Sequence, residues 1–417
     1  MKVDCIELYD VKVPLPSVFY PSWIPGYPQH DVRFTLVRIA TEDGVEGWSA
    51  GAAMGREREG LGSLIGPYLI GMDPLDIGVI QQRLREVSYL GWRNWWIEPA
   101  FWDIIGKVKG KPVWELLGGK GGDVSVYASN GEVCSPQKNL EISIKRYEEG
   151  FKGVKLRVHS FKEDDDIKQV QEAAREIRSG FKIGVDANQG WRVTVIDDAP
   201  LWDIDRAKRF VDKMAELGVS WVEEPLPMDD YVHLSELSAY SKVPIAGGEL
   251  NGGGFSEFRM MIDNKCYTIY QPDATFCGGI EQVRHIMELC LSKGFRFTPH
   301  TWTNGIGLAI NLAVFASNPE RDKELLEFPY NPPSWIPEAR DAILTEPFIP
   351  QKGRLKIPDK PGLGIEINKK ALKKYGTRFF KMTPLRLAIS SIKERGLKQS
   401  IELAKKKKEG AHGNKSV

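Results

Sequence analysis

The chain has 417 residues, 57 Lys and Arg against 56 Asp and Glu, a net charge of +1 and 42% apolar residues. That length suggests two domains, and so even a charge balance gives a nucleic acid no footing on the body of the chain. Five scattered cysteines (Cys5, Cys134, Cys266, Cys277, Cys290), an opening MKVDCIELYD without an apolar signal region, and no apolar run of about 18 residues predict a soluble cytoplasmic protein that neither crosses nor binds a membrane.

Residues 1 to about 50 read as strands. KVDCIELYDVKVPL and RFTLVRIATEDGVEGWSAG alternate apolar and polar positions, and Glu42-Asp43-Gly44 signals a hairpin turn. Between them SVFYPSWIPGYPQHD is rich in Pro and aromatic residues and has no period, so a loop is expected. Its Tyr20 and Trp23 read either as part of a local aromatic cluster or as a lid over a substrate. From Gly60 to about Leu117 the period becomes helical, with Gly or Pro at the breaks. Sheet followed by helices predicts an α+β domain over residues 1–122, ending in Gly118, Gly119, Gly121 and Gly122.

VSVYASNG (Val124 to Gly131) opens a second pattern. After it come seven short apolar runs, VKLRV, IGVDANQ, WVEEP, IAGGEL, IYQPD, FTPHTW and ELLEFPY. Each carries charge at its end: Lys155 with Arg157, then Asp186, Glu223, Glu249, Asp273, His300 and Glu327, spaced 24 to 37 residues apart. Helical stretches lie between them, one starting at an Asp203 cap and ending on Gly218. This is one strand–helix step per charged end. It predicts an α/β fold, a modified TIM (β/α)7-8 barrel over residues 123–345, with the charges at its catalytic mouth. Residues 346–376 are irregular, with a strand and short helix expected in KPGLGIEINKKALKKYG, as a return segment against the cap. Residues 377–417 are Lys-rich, with two amphipathic stretches and a partly disordered, solvated end.

Three carboxylates, Asp186, Glu223 and Glu249, come from consecutive predicted strands. Converging without neutralisation they would repel, and a divalent cation resolves that conflict. All-oxygen ligation suits Mg²⁺, with Mn²⁺ as a substitute. Strand alternation sends Glu223 and Glu224 to opposite sides, and Glu223 is taken as the inward one. Asp273 and His300 end the next two strands, where an imidazole held by a carboxylate suits a general base. Lys155 and Arg157 point the same way and can offer positive charge to a substrate carboxylate, while Glu327 can partner a developing oxyanion if it is protonated or shares a proton.

VKLRV, VDANQGW, WVEEPL, AGGEL, QPDATFCGG and PHTWTNG together resemble the enolase superfamily, specifically the mandelate racemase/muconate lactonizing enzyme family. FWDIIGKVKGKPVWELLGG resembles the end of that family's capping domain and PDKPGLGIEI its C-terminal return segment, so the resemblance covers about residues 1 to 376. It implies a capping domain on a modified TIM barrel, Mg²⁺ on Asp186, Glu223 and Glu249, and removal of the proton α to a carboxylate. The His300–Asp273 dyad places the chain with the mandelate racemase group. Asn188 matches a position that contacts the substrate or the metal's surroundings, and a homo-oligomer, such as an octamer, is implied.

The family's usual Lys-x-Lys is here Lys155-Leu156-Arg157. Arginine is a poor base, which disfavours a two-base racemase, whereas dehydration needs one base. The expected activity is a hydro-lyase reaction on an acid sugar, with His300 taking the α-proton and a 2-keto-3-deoxy acid resulting. The alternatives are a racemase or epimerase of a 2-hydroxy acid, with Lys155 as second base, and a non-catalytic metal-binding homologue. Specificity is expected in the cap and its aromatic loop; Arg56 and Arg58 read either as exposed loop arginines without a role or as binders of a distal carboxylate or hydroxyls.

Overall fold

The computed structural model describes residues 1–52, 61–91, 93–176 and 180–413. The cap begins with three strands, β1 (Val3–Phe19), β2 (Gln29–Thr41) and β3 (Glu46–Ala52), which form an antiparallel sheet in the order β1-β2-β3. Helices α1 (Leu61–Leu69), α2 (Ile77–Leu90) and α3 (Glu98–Lys109) follow, with α2 capped by Asp76 and α3 preceded by a 3₁₀ turn at Trp95–Ile97. The loop between β1 and β2 is shorter than its sequence suggests, because strand geometry continues to Phe19 and resumes at Gln29.

The second unit alternates strand and helix. Its strands are β4 (Asp123–Val133), β5 (Gly153–Arg157), β6 (Lys182–Asp186), β7 (Trp221–Glu223), β8 (Ile245–Gly247), β9 (Ile269–Tyr270), β10 (Arg296–Phe297) and β11 (Leu326–Pro329). After α4 (Val113–Leu116) in the cap, the intervening helices are α5 (Pro136–Glu148), α6 (Glu163–Glu176), α7 (Ile204–Glu216), α8 (Tyr231–Tyr240), α9 (Phe255–Asp263), α10 (Gly279–Ser292) and α11 (Gly305–Ser317). Asp203 caps α7 by accepting from the Arg206 N–H, as its sequence suggests.

The eight strands pair in parallel in the order β10-β9-β8-β7-β6-β5-β4-β11. Among the described residues no backbone ladder joins β10 to β11. Side chains cross that seam instead: Arg296 makes a two-pronged ion pair with Glu324, both contacts 2.7 Å, and Thr298 Oγ1 donates to the Leu325 carbonyl at 2.9 Å. Outward positions such as Val154, Leu156, Ile183, Val185, Val222 and Ile245 are buried under the helices in one large core. Inward, Tyr127, Trp221, Ala246 and Ile269 fill the end of the barrel away from the charges. Trp221 fits because β6 offers Gly184 opposite it; a Cβ there would stand 2.1 Å from the indole.

After β11 come α12 (Pro337–Arg340), β12 (Arg354–Lys356), α13 (Lys369–Tyr375), β13 (Gly376–Met382), α14 (Pro384–Arg395) and α15 (Leu397–Gly413). Here the structure departs from the sequence reading. The return-segment strand is β12, antiparallel to β4, and not KPGLGIEI, which makes only isolated bridges at Gly362 and Ile367. Where a solvated extension was expected from Thr377, β13 pairs antiparallel with β1 as the fourth strand of the cap sheet. The Lys-rich end expected to be disordered is helical to Gly413. Among the described residues no helix is long and apolar enough to cross a membrane.

Buried polar joints hold the cap on the barrel. Glu98, at the start of α3, accepts from the N–H groups of Ile280 and Glu281 at the start of α10, at 2.9 and 3.1 Å. Asp103 accepts from Trp48 N–H at 3.0 Å, Leu363 N–H at 2.9 Å and Lys107 Nζ at 2.7 Å, joining β3, α3 and the return segment. Asp103→Ala leaves two buried backbone donors unpaired and is expected to lower stability by about 3 kcal/mol, read as a lower urea midpoint with unchanged m-value.

Candidate active site

Strand register assembles the floor of the site. Arg157 of β5 lies opposite Asp186 of β6, and Asp186 opposite Glu223 of β7, so all three share the inward face. Lys155, two residues before Arg157, shares it too. Its Nζ is 2.8 Å from Glu327 Oε1 and 3.4 Å from Asp186 Oδ2, and it donates to Glu223 Oε1. Burial opposes the charge on Lys155, yet Glu223 and Glu327 raise its pKa well above the lysine range. Against burial, Lys155 and His300 hold Glu327 below the usual carboxylate range. Arg157 donates to Asp186 Oδ2 and, at 2.7 Å, to the Asn130 carbonyl; Trp23 and Trp302 flank its guanidinium at 5.4 and 5.3 Å.

His300 follows the end of β10 and lines the same cavity as Arg157. Its Nδ1 is 3.0 Å from Asp273 Oδ2, while Asp273 Oδ1 accepts from Thr275 N–H (2.7 Å), Thr275 Oγ1 (2.8 Å) and Asn311 Nδ2 (2.8 Å). So fixed a carboxylate sets the tautomer, leaving Nε2 as the reactive nitrogen. Nε2 is 3.3 Å from Glu249 Oε2 and 3.9 Å from Glu327 Oε2. Burial lowers the proton affinity of the ring, but Glu249, Glu327 and Asp273 outweigh it and push its pKa up to about 10. Glu327 Oε2 also accepts from the Thr301 N–H at 2.8 Å.

A cavity of about 1010 Å³ opens over this floor. Barrel and loop residues lining it include Trp23, Arg157, Asn188, Trp191, Glu249, Thr275, His300 and Trp302; the cap adds Ala52, Leu64, Ser88, Arg93, Asn94 and Trp96. Not every expected residue reaches it. Of the two cations on β5 only Arg157 lines the cavity, because three carboxylates enclose the Lys155 ammonium. Tyr20 is half exposed and outside the cavity wall, its N–H donating to Glu132 at 2.8 Å, whereas Trp23 lines the wall. Asn188, at φ +47°, donates its N–H to Asp186 Oδ1 at 2.8 Å and accepts from Ser22 Oγ at 2.6 Å. Arg56 and Arg58 lie outside the described residues.

Glu224 does not continue the strand outward. The chain turns there at φ +47°, and its carboxyl stays buried, Oε2 without a partner and Oε1 where a Cβ on Gly190 would stand 2.0 Å away. Sequence reasoning passed over Trp302 and Trp191, although both sit inside the quoted motifs PHTWTNG and VDANQGW. Arg93, Asn94 and Trp96 carried no signal, because GWRNWW reads only as a break between helices.

The site is rich in unneutralised acid. Six carboxyls, Asp186, Glu223, Glu224, Glu249, Asp273 and Glu327, stand with three cationic groups, Lys155, Arg157 and His300. Burial pushes Glu223, Glu224 and Glu249 above the usual carboxylate range, and neighbouring carboxylates add to it. Oxygen-only donors with surplus negative charge fit a hard divalent ion. Among the described residues no three of these acids gather at one point; Asp186 and Glu223 are turned onto Lys155 and Arg157 instead.

Comparison with known proteins points the same way. Residues 140–371 match the family model Enolase C-terminal domain-like, and residues 7–118 the Mandelate racemase / muconate lactonizing enzyme, N-terminal domain. The chain is 29% identical over 360 residues to the D-galactarolactone cycloisomerase of Agrobacterium fabrum, covering 82% of this chain and 90% of that one. It is 28% identical over 377 residues to the arabinonate dehydratase of Saccharolobus solfataricus, covering 84% and 93%. Its fold superposes on the crystal structure of L-talarate/galactarate dehydratase from Salmonella typhimurium, liganded with Mg and L-lyxarohydroxamate, with a TM-score of 0.76 and 25% identity over 91% of this chain and 94% of that one.

Proposed function

Because the chain belongs to the mandelate racemase / muconate lactonizing enzyme family of the enolase superfamily, we propose that it dehydrates an acid sugar to a 2-keto-3-deoxy acid. Asp186, Glu223 and Glu249 would hold Mg²⁺, or Mn²⁺ in its place, which supplies positive charge to the substrate carboxylate as the α-carbon loses its proton. His300 would take that proton through Nε2 in its neutral form, which a divalent ion on Glu249 would favour by offsetting the carboxylate charge that raises the ring's proton affinity, with Asp273 holding Nδ1–H and stabilising the imidazolium. Once protonated, His300 gives the proton to the departing β-hydroxyl when elimination is syn. Glu327, anchored by Thr301 N–H, lies 3.9 Å from His300 Nε2 and, held as a carboxylate by Lys155 and His300, would stabilise the imidazolium rather than donate to an enediolate. Arg157, clamped by Asp186 and two indoles, lines the same cavity as His300 and offers the substrate positive charge there.

One observation carries the choice of dehydration. Among the described residues His300 is the one imidazole lining the cavity, whereas Lys155, the other candidate, does not line it and is enclosed by Glu223, Asp186 and Glu327. A racemase needs a base on each face of the α-carbon. The test is incubation with Mg²⁺ and a panel of aldonic and aldaric acids, assayed for 2-keto product. Epimers forming with no keto acid at all overturn the reading. The cycloisomerase among the relatives favours one second reading, isomerisation of an acid-sugar lactone. Lactones in the same panel decide it, since a product isomeric with its lactone has lost no water.

A further inference from the structure

Among the described residues the cavity carries one cation that the reaction does not use. Arg93 stands just before the turn Trp95–Ile97 and lines the same cavity as His300 and Arg157. Arg157 is committed to Asp186 and His300 to Asp273. Arg93 has no hydrogen bond or ion pair with any described residue, and the acid among the described residues lining the cavity is Glu249 of the floor.

Its neighbours place it against the loop after β8. Trp95 Nε1 donates to the Gly252 carbonyl at 3.0 Å, holding this part of the cap against the loop after β8. Arg93 Cδ and Nη1 each lie 3.4 Å from where a Cβ on Gly252 would stand, so the side chain runs along that loop in ordinary contact. Gly252 is three residues from Glu249, and three residues span at most about 11 Å. The exposed Arg93 side chain thus stands on the cap side of the cavity that His300 and Glu249 also line, with Ser88 and Asn94 of the cap beside it in that lining. A planar fork of N–H donors suits a carboxylate far better than a primary alcohol.

We propose that Arg93 binds the second carboxylate of the substrate, which makes the substrate an aldaric acid and not an aldonic one. This rests on the acid-sugar reading above and narrows it.

The test compares aldarates with the aldonates of the same configuration, which differ only in carboxylate against CH₂OH at the far end. The wild-type protein is expected to favour the aldarate at least about tenfold in kcat/KM. Arg93→Gln should cut that preference by about 10- to 100-fold, mostly through KM, as expected for a lost charged hydrogen bond. Arg93→Lys should restore part of it. A direct readout uses His300→Asn, which retains the cavity: isothermal titration should show tighter aldarate than aldonate binding, lost on adding Arg93→Gln. Efficient turnover of aldonates alone, or an aldarate preference untouched by Arg93→Gln, overturns the proposal and leaves dehydration standing. Absence of keto product from every acid overturns the dehydration reading, and equal binding of both acid classes to His300→Asn then overturns the Arg93 assignment on its own.

Discussion

Replacing His300 by Asn is expected to lower kcat by about 10²- to 10⁴-fold, the usual weight of a positioned general base. Exchange of the substrate α-proton with D₂O, followed by NMR, should fall with it. The fold should survive the change. Asp273 keeps three other hydrogen bonds, from Thr275 N–H, Thr275 Oγ1 and Asn311 Nδ2, so no bare buried carboxylate is created. Circular dichroism and the thermal midpoint are therefore expected to stay close to wild type. If exchange continues at the original rate, the proton goes to some other group and the role given to His300 is wrong.

Lys155→Met is expected to act mainly on stability. The ammonium is fully buried and is shared by Glu223, Glu327 and Asp186, with Arg157 the other cation on Asp186. Taking one partner from such a group strands the charges left behind, at a cost of about 3–5 kcal/mol. Denaturation in EDTA should show that loss. In Mg²⁺ the loss should shrink, because an ion bound only by the folded state adds stability by mass action. Adding Glu223→Gln to Lys155→Met should recover part of the loss, since one stranded charge is removed, and a double-mutant cycle measures the coupling. Equal denaturation midpoints for wild type and Lys155→Met in EDTA would show that the ammonium does not hold these acids together.

The tail shows how a correct compositional observation can mislead. Arg378 and Lys381 contribute to the basic character that reads as solvated chain beyond Thr377. In the fold they lie on β13 and reach Glu7 of β1, at 2.6 and 3.3 Å, where Arg38 of β2 also binds at 2.9 Å. Glu7 is 4% exposed, so a buried acid on the first strand requires these cations. Its partners are separated from it by 371 and 374 positions, and no local pattern can carry that information. Tyr20 and Trp23 make the same point over three residues. Both are aromatic and both sit in the unpatterned loop, but Trp23 lies against Arg157 and Trp302 while Tyr20 faces solvent.

The order of charged strand ends, from Lys155 to Glu327, was legible in the sequence because it rests on local rules. Strand side chains alternate with period two, and each strand–helix step takes a nearly constant length of chain. Those rules bring Asp186, Glu223 and Arg157 onto one face and carry His300 to Asp273. Tertiary structure alone decided which cation faces the cavity, how β10 meets β11, and where Arg93 stands. Each of these depends on distant groups competing for the same buried space and charge, and that competition exists only once the barrel and its cap have closed around it.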